Sequence, residues 1–150
     1  MTLRVQKHPK IPTRAQAGHV NGFLIPIYNE HDGFLDGENA PKQVYLTVCD
    51  PGQVKGPHLH YKRRGLFTCI RGNLRIIVRT DAGYEEYFSG EAYDFATIEV
   101  PPGTPAALQN IGPEACYVLN TPSPAWRPDD QDEHEVTFDQ GVLIWPKSTP

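Results

Sequence analysis

The chain holds little of what would mark a secreted scaffold, a membrane protein or a nucleic-acid binder. Three of its 150 residues are cysteine, Cys49, Cys69 and Cys116. An odd number at wide spacing, with no CxxC, argues against a disulfide framework and against a four-thiolate zinc site. These cysteines read as buried reduced thiols of a cytoplasmic protein. Positive charge is scarce as well: 14 Lys and Arg stand against 18 Asp and Glu, for a formal net charge of −4. That balance lacks the electrostatic footprint of a general nucleic-acid binder. No apolar run approaches the ~20 residues that cross a bilayer. The opening MTLRVQKHPKIPTRAQAG lacks the apolar stretch of a signal peptide. A cytoplasmic chain with no nucleic-acid and no membrane partner is the expectation.

Long amphipathic helical periodicities, internal repeats and low-complexity linkers are missing too. What is abundant is turn chemistry, with 15 prolines and 13 glycines. Short apolar runs lie between the turns. QVYLTVCD (43–50) alternates Val44, Leu46 and Val48 against Tyr45, Thr47 and Cys49, the period of a strand. GFLIPIYNE (22–30) reads as an edge strand because of Pro26. GLFTCIRGNLRIIVRT reads as two strands around RGN, and YEEYFSG, YDFATIEV, AALQN and ACYVLN continue the series. GVLIWP is a last apolar run after the polar stretch AWRPDDQDEHEV. Many short strands with regular punctuation predict an all-β sandwich or barrel. The length suits one domain, 1–150, with a core at about 22–122.

The segment GQVKGPHLHYKRRGLFTCIRG carries His58 and His60 two residues apart. On a strand, residues i and i+2 share a face, so these imidazoles project together, about 7 Å apart at Cα. A shared barrel interior and a solvated outer face beside the polar YKRR are both compatible with that spacing.

Gly52, His58, His60 and Gly72 resemble the first motif of the cupin superfamily, and VPPGTPAALQN, with Pro101, Gly103 and Asn110, resembles the second. The resemblance implies a small jelly-roll barrel with its pocket inside, flanked here by an N-terminal arm and an irregular C-terminal segment. Metal-binding cupins add a glutamate from the first motif and a histidine from the second. Those positions are Gly65 and Ala106 in this chain. Catalytic first-row metals generally use three protein ligands plus an open position, and two of the four remain. No metal and no cofactor is therefore expected. A metal site would need replacement ligands such as Glu99 or Gln109.

KGPHLH is also similar to the segment of dTDP-4-dehydrorhamnose 3,5-epimerases and sugar-nucleotide 3,4-ketoisomerases that carries R-G-x-H or R-G-x-H-x-H. Lys55 stands where the arginine would be. The resemblance implies a histidine, His58 or His60, that removes the proton beside a sugar ketone. It further implies Asp139, in VTFDQGVLIWP, as partner of the catalytic histidine, and Tyr117 as the opposing acid, with Leu119 the competing alignment. Lys55, Arg64, Arg75 and Trp126 are the expected substrate contacts. Arg75 and Arg79 share a strand face with Ile77, which either lines the pocket mouth or meets water.

The expected function is a metal-independent epimerase or ketoisomerase of a nucleotide-linked 4-keto-6-deoxy sugar. A metal-dependent cupin enzyme with replacement ligands and a non-catalytic sugar-binding cupin are the competing readings. Cupin relatives commonly pair through edge strands, so a homodimer is expected from the resemblance.

Overall fold

A computed structural model describes residues 2–35 and 37–146. Its strands, in chain order, are β1 (Val5–Lys7), β2 (Ile11–Arg14), β3 (Val20–Leu24), β4 (Tyr45–Cys49), β5 (Val54–Leu59) and β6 (Gly65–Arg71). There follow β7 (Asn73–Thr80), β8 (Gly83–Gly90), β9 (Ala96–Val100), β10 (Ala106–Asn110), β11 (Cys116–Asn120) and β12 (His134–Glu135). Two single 3₁₀ turns, Glu30–Asp32 and Gly37–Asn39, are the helical elements among the described residues.

One five-stranded sheet has the order β1-β9-β6-β11-β4 and a second has β12-β5-β10-β7-β8. All their pairings are antiparallel, and together they form a cupin-like jelly roll. Among the described residues β2 and β3 pair only with each other, as a separate hairpin. The expected edge strand at 22–30 ends at Leu24, before Pro26, which cannot donate to a ladder.

Alternation sorts the side chains between the two faces of each sheet. Leu74, Ile76 and Val78 of β7 point inward with Ile98, Val100, Val118 and the three cysteines, all at most 6% exposed. Burying each large apolar side chain contributes about 1.5–3 kcal/mol. The thiols are unpaired and buried. Burial, then the Cys116 thiol, raises the pKa of Cys49, and the Cys116 contact with burial raises that of Cys69, so both stay protonated.

Parts of the outer faces are covered as well. On the first sheet Glu99 accepts two hydrogen bonds from Arg4, at 3.1 and 2.9 Å, and pairs with Arg64 at 3.3 Å. On the second, Ile77 and Ala107 pack under Phe138, with Val136, Val142 and Leu143 alongside. Arg75, 3% exposed, donates to Glu86 Oε2, Gln109 Oε1 and the Val142 carbonyl at 2.8, 2.8 and 3.1 Å. A buried guanidinium needs partners of this kind. Arg75 therefore pins the C-terminal segment to the barrel, and GVLIWP is an irregular cover rather than a strand. Leu3 and Phe138, from outside 22–122, are buried parts of this body.

Candidate active site

A cavity of about 320 Å³ opens between the sheets at one end of the barrel, where Lys55, His58, His60, Arg63, Tyr45 and Glu133 meet. Its position follows from local features of β5. Strict alternation would send Lys55 and His58 to opposite faces. The register against β10 instead slips: Ala106 faces His58 while Leu108 faces Lys55, so β5 carries one extra residue. Such a bulge flips the parity of everything before it. Lys55 thereby joins His58 and His60 at the cavity. Gly56 makes the bulge possible. Its φ is +89°, and a Cβ there would sit 2.9 Å from the His58 amide nitrogen and 3.1 Å from the Ala106 carbonyl oxygen.

The histidine rings are 6.5 Å apart, tilted by 76°. Glu133 Oε1 lies 3.2 Å from His58 Nδ1 and 3.9 Å from His60 Nε2. A carboxylate at Nδ1 holds the proton on that nitrogen and leaves Nε2 as the basic lone pair. His60 is in a different state. Arg63 Nη2 is 2.6 Å from its Nε2. A guanidinium only donates, so His60 Nε2 accepts and its proton sits on Nδ1. Burial first, then the Arg63 charge, lowers the His60 pKa to about 4 against the opposing pull of Glu133. His60 is a neutral imidazole at physiological pH.

On the opposite wall Asn120, 1% exposed, is locked by two bonds. Its Oδ1 accepts from the Leu66 amide at 2.9 Å, and its Nδ2 donates to Tyr45 Oη at 2.6 Å. Because Tyr45 Oη accepts there, its own hydroxyl proton is directed elsewhere, as an acid requires.

The two positions where metal-binding cupins carry further ligands take part differently. A Cβ on Gly65 would meet the Phe67 ring at 2.5 Å, so that ring fills the space of a longer side chain. Ala106 offers the cavity a methyl group. Glu99 and Gln109, the residues named as examples of replacement ligands, lie on the outer faces, bound by Arg4 and Arg64 and by Arg75. Among the described residues no three or more His, Cys, Asp or Glu side chains are placed to hold a metal ion. The Arg63 guanidinium also stands where a cation bound to His60 Nε2 would sit.

Of the residues expected from sequence, the structure brings His58, His60 and Lys55 together. Asp139 is a correction: it lies beside β8, its backbone N–H donating to Tyr84 Oη at 2.8 Å, and the carboxylate at His58 is Glu133. Tyr117 is another, because Cys116, Val118 and Asn120 take the inward face of β11. Tyr117 therefore points outward, under Arg71 at 5.8 Å. Arg75 and Arg79 face the C-terminal cover, bonded to the carbonyls of Val142 and Thr137. Arg64 turns outward to Glu99, and its neighbour Arg63 enters the cavity. Trp126, 46% exposed, borders a smaller cleft of about 200 Å³ with Lys62, Arg63 and Arg127.

Glu133, Arg63, Tyr45 and Asn120 were not anticipated. Tyr45 had a signal. Leu46 and Val48 on β4, and Val44 just before it, form the exposed face, at 47, 39 and 67%. The polar member of the alternation points inward, the inverse of an ordinary half-buried strand.

A model of the family described as WxcM-like, C-terminal (FdtA) matches residues 20–140. No curated protein sequence matches the chain. Among solved structures, a dTDP sugar isomerase from Desulfovibrio desulfuricans G20 superposes with a TM-score of 0.76 at 14% identity, covering 98% of this chain and 90% of that one. QdtA, a sugar 3,4-ketoisomerase from Thermoanaerobacterium thermosaccharolyticum solved with TDP, gives 0.67 at 18% identity, over 89% and 88% of the two chains. A 3,4-ketoisomerase from Helicobacter canadensis gives 0.67 at 12% identity, over 91% and 92%. These likenesses concern the fold. The match over residues 20–140 shows more: this chain belongs to the WxcM-like, C-terminal (FdtA) family.

Proposed function

We propose that the protein is an isomerase or epimerase of a nucleotide-linked 4-keto-6-deoxy sugar, working by histidine proton transfer. The observation that carries this reading is the Glu133–His58 pair at 3.2 Å, set beside a neutral His60 in a cavity between the sheets. The names of the structural neighbours, sugar isomerases and 3,4-ketoisomerases, support the same class.

A ketone at C4 acidifies the C3–H bond. His58 Nε2 takes that proton, Glu133 stabilises the resulting imidazolium, and O4 gains a proton from an acid, for which Tyr45 is placed. The product of this half-reaction is an enediol. Ketone migration follows when His58 returns its proton to C4 and O3 passes its hydroxyl proton to the deprotonated acid as C3=O forms. Epimerisation follows when a second acid reprotonates C3 from the other face and O4 passes its proton back to the first acid as C4=O reforms. General acid–base assistance of this kind contributes about 10²–10⁴-fold. Lys55 serves the diphosphate as a point charge, and Trp126 with Arg63 offers the base a cleft beside the cavity.

A homodimer completes the reading. The exposed Leu46 and Val48 lie on β4, an open sheet edge, with Val44 just before it, and the hairpin β2–β3 exposes Ile11, Val20, Phe23 and Leu24. Exposed apolar edges of this kind call for a partner strand. Three buried thiols support a reducing, cytoplasmic setting.

The test is deuterium exchange. Incubation with TDP-4-keto-6-deoxyglucose and related nucleotide sugars in deuterated water should place deuterium at C3 or C4, and His58→Ala should slow it by about 10²–10⁴-fold. Binding with no exchange across the panel would replace catalysis by sugar binding.

A further inference from the structure

The two groups that set the histidines' states come from different loops. Arg63 belongs to the connection between β5 and β6, and Glu133 to the strand entry before β12. One side chain ties these loops together. The Asp132 carboxylate accepts the backbone N–H groups of Tyr61, Lys62 and Arg63 at 3.0, 2.9 and 2.8 Å. Its side chain is 9% exposed. Its φ is +51°, the positive value of a non-glycine residue among the described ones. That conformation costs of order 1 kcal/mol or more and persists where surrounding contacts over-determine it. Burial works against the Asp132 carboxylate, yet the three amide donors outweigh it and its pKa is lowered.

We propose that Asp132 is a positioning residue, whose carboxylate clamps the turn 61–63 so that Arg63 and Glu133 meet His60 and His58. The role in turnover rests on the proton-transfer reading above, whereas the clamp itself does not. The groups that face His60 are Arg63, Glu133, Asp132 and His58. Those that face Asp132 are the three amides, His60, and His134 at 3.9 Å from Oδ1. Lys62 is held to Asp130 on the solvent side at 2.6 Å.

Asp132→Ala tests the clamp through two readouts, with thermal unfolding as the control for folding. The first is the His60 titration midpoint by NMR. If the turn is released, burial and Arg63 withdraw together, and the midpoint rises from about 4 toward the ordinary 6.5. If the turn stays in place, only the favourable Asp132 charge is lost and the midpoint falls further, which overturns the proposal. The second is exchange with TDP-4-keto-6-deoxyglucose. The expected loss is on the order of 10²-fold in kcat, with a smaller change in KM, as for about 1 Å of misplacement. A raised midpoint with unchanged kcat also overturns the positioning role. Should Asp132→Ala not fold, Asp132→Asn carries the same two tests, because it keeps the shape and one acceptor oxygen. Should the wild-type protein show no exchange, the proton-transfer reading fails, and the direction of the His60 midpoint alone decides the clamp.

Discussion

The closed and open ends of the barrel interior are built from the same strands. β4 contributes Cys49 to the closed end and Tyr45 to the open one. β6 contributes Cys69 and Gly65, and β11 contributes Cys116 and Asn120. Inward orientation is common to both ends, so the pleat alone does not distinguish them. The closed end is sealed by apolar neighbours such as Leu74 and Ile76, and polar groups there would go unpaired. At the open end the polar groups have partners: buried Asn120 has Tyr45 and the Leu66 amide, half-buried His60 has Arg63, and His58 has Glu133. The difference teaches that this sheet pair separates stability from chemistry along its strands rather than between its faces.

That separation can be broken from either end. His58→Ala should lower deuterium exchange by about 10²–10⁴-fold, with the fold intact by circular dichroism. Loss of stability in proportion to loss of exchange would erase the distinction. Leu74→Ala, at a fully buried position of the closed end, should cost about 2–5 kcal/mol in urea unfolding. Exchange per folded molecule should not change.

His60 couples the two properties through pH. Its pKa falls from 6.5 in the unfolded chain to about 4 in the folded one. Between those values the unfolded state binds the extra proton, so stability is complete above about pH 6.5 and is lost as pH falls toward 4. The full contribution is about 3 kcal/mol. His60→Gln should flatten this part of the stability profile, and the difference between the two unfolding series measures it.

The smallest effect compares neighbouring residues. Arg64→Ala leaves Glu99 its two bonds to Arg4 and should cost about 1 kcal/mol, with exchange unaltered. Arg63→Ala should instead raise the His60 midpoint and slow exchange. Equal behaviour of the two variants would show that facing the cavity is not what sets Arg63 apart.

Much of the fold was legible because it depends on local rules. Turn residues and period-2 runs delimited β4, β6, β7, β9, β10 and β11, and the two motif segments marked the cavity wall. The site was only partly legible. Parity within one strand correctly grouped His58 with His60. It misplaced nothing on β11 once the inward set Cys116, Val118 and Asn120 was known, but that set reverses the role given to Tyr117. Lys55 reached the cavity through a bulge, which breaks the parity rule. Glu133 sits in the acidic run DDQDEHEV, where no spacing separates it from Asp129, Asp130 or Asp132.

Sequence by itself determined the β architecture, the histidine pair on one strand face, and the glycine and alanine that stand where metal-binding cupins carry further ligands. These follow from chain-local geometry: alternation, turn chemistry and residue identity. The tertiary structure decided that Glu133 rather than Asp139 meets His58, that Arg63 rather than Arg64 enters the cavity, and that Tyr45 rather than Tyr117 faces it. Each of those outcomes depends on which distant loop or strand lies opposite. Contacts across 73 residues, such as His60 to Glu133, are set by sheet packing and by a carboxylate that clamps two loops together, and no local period encodes them.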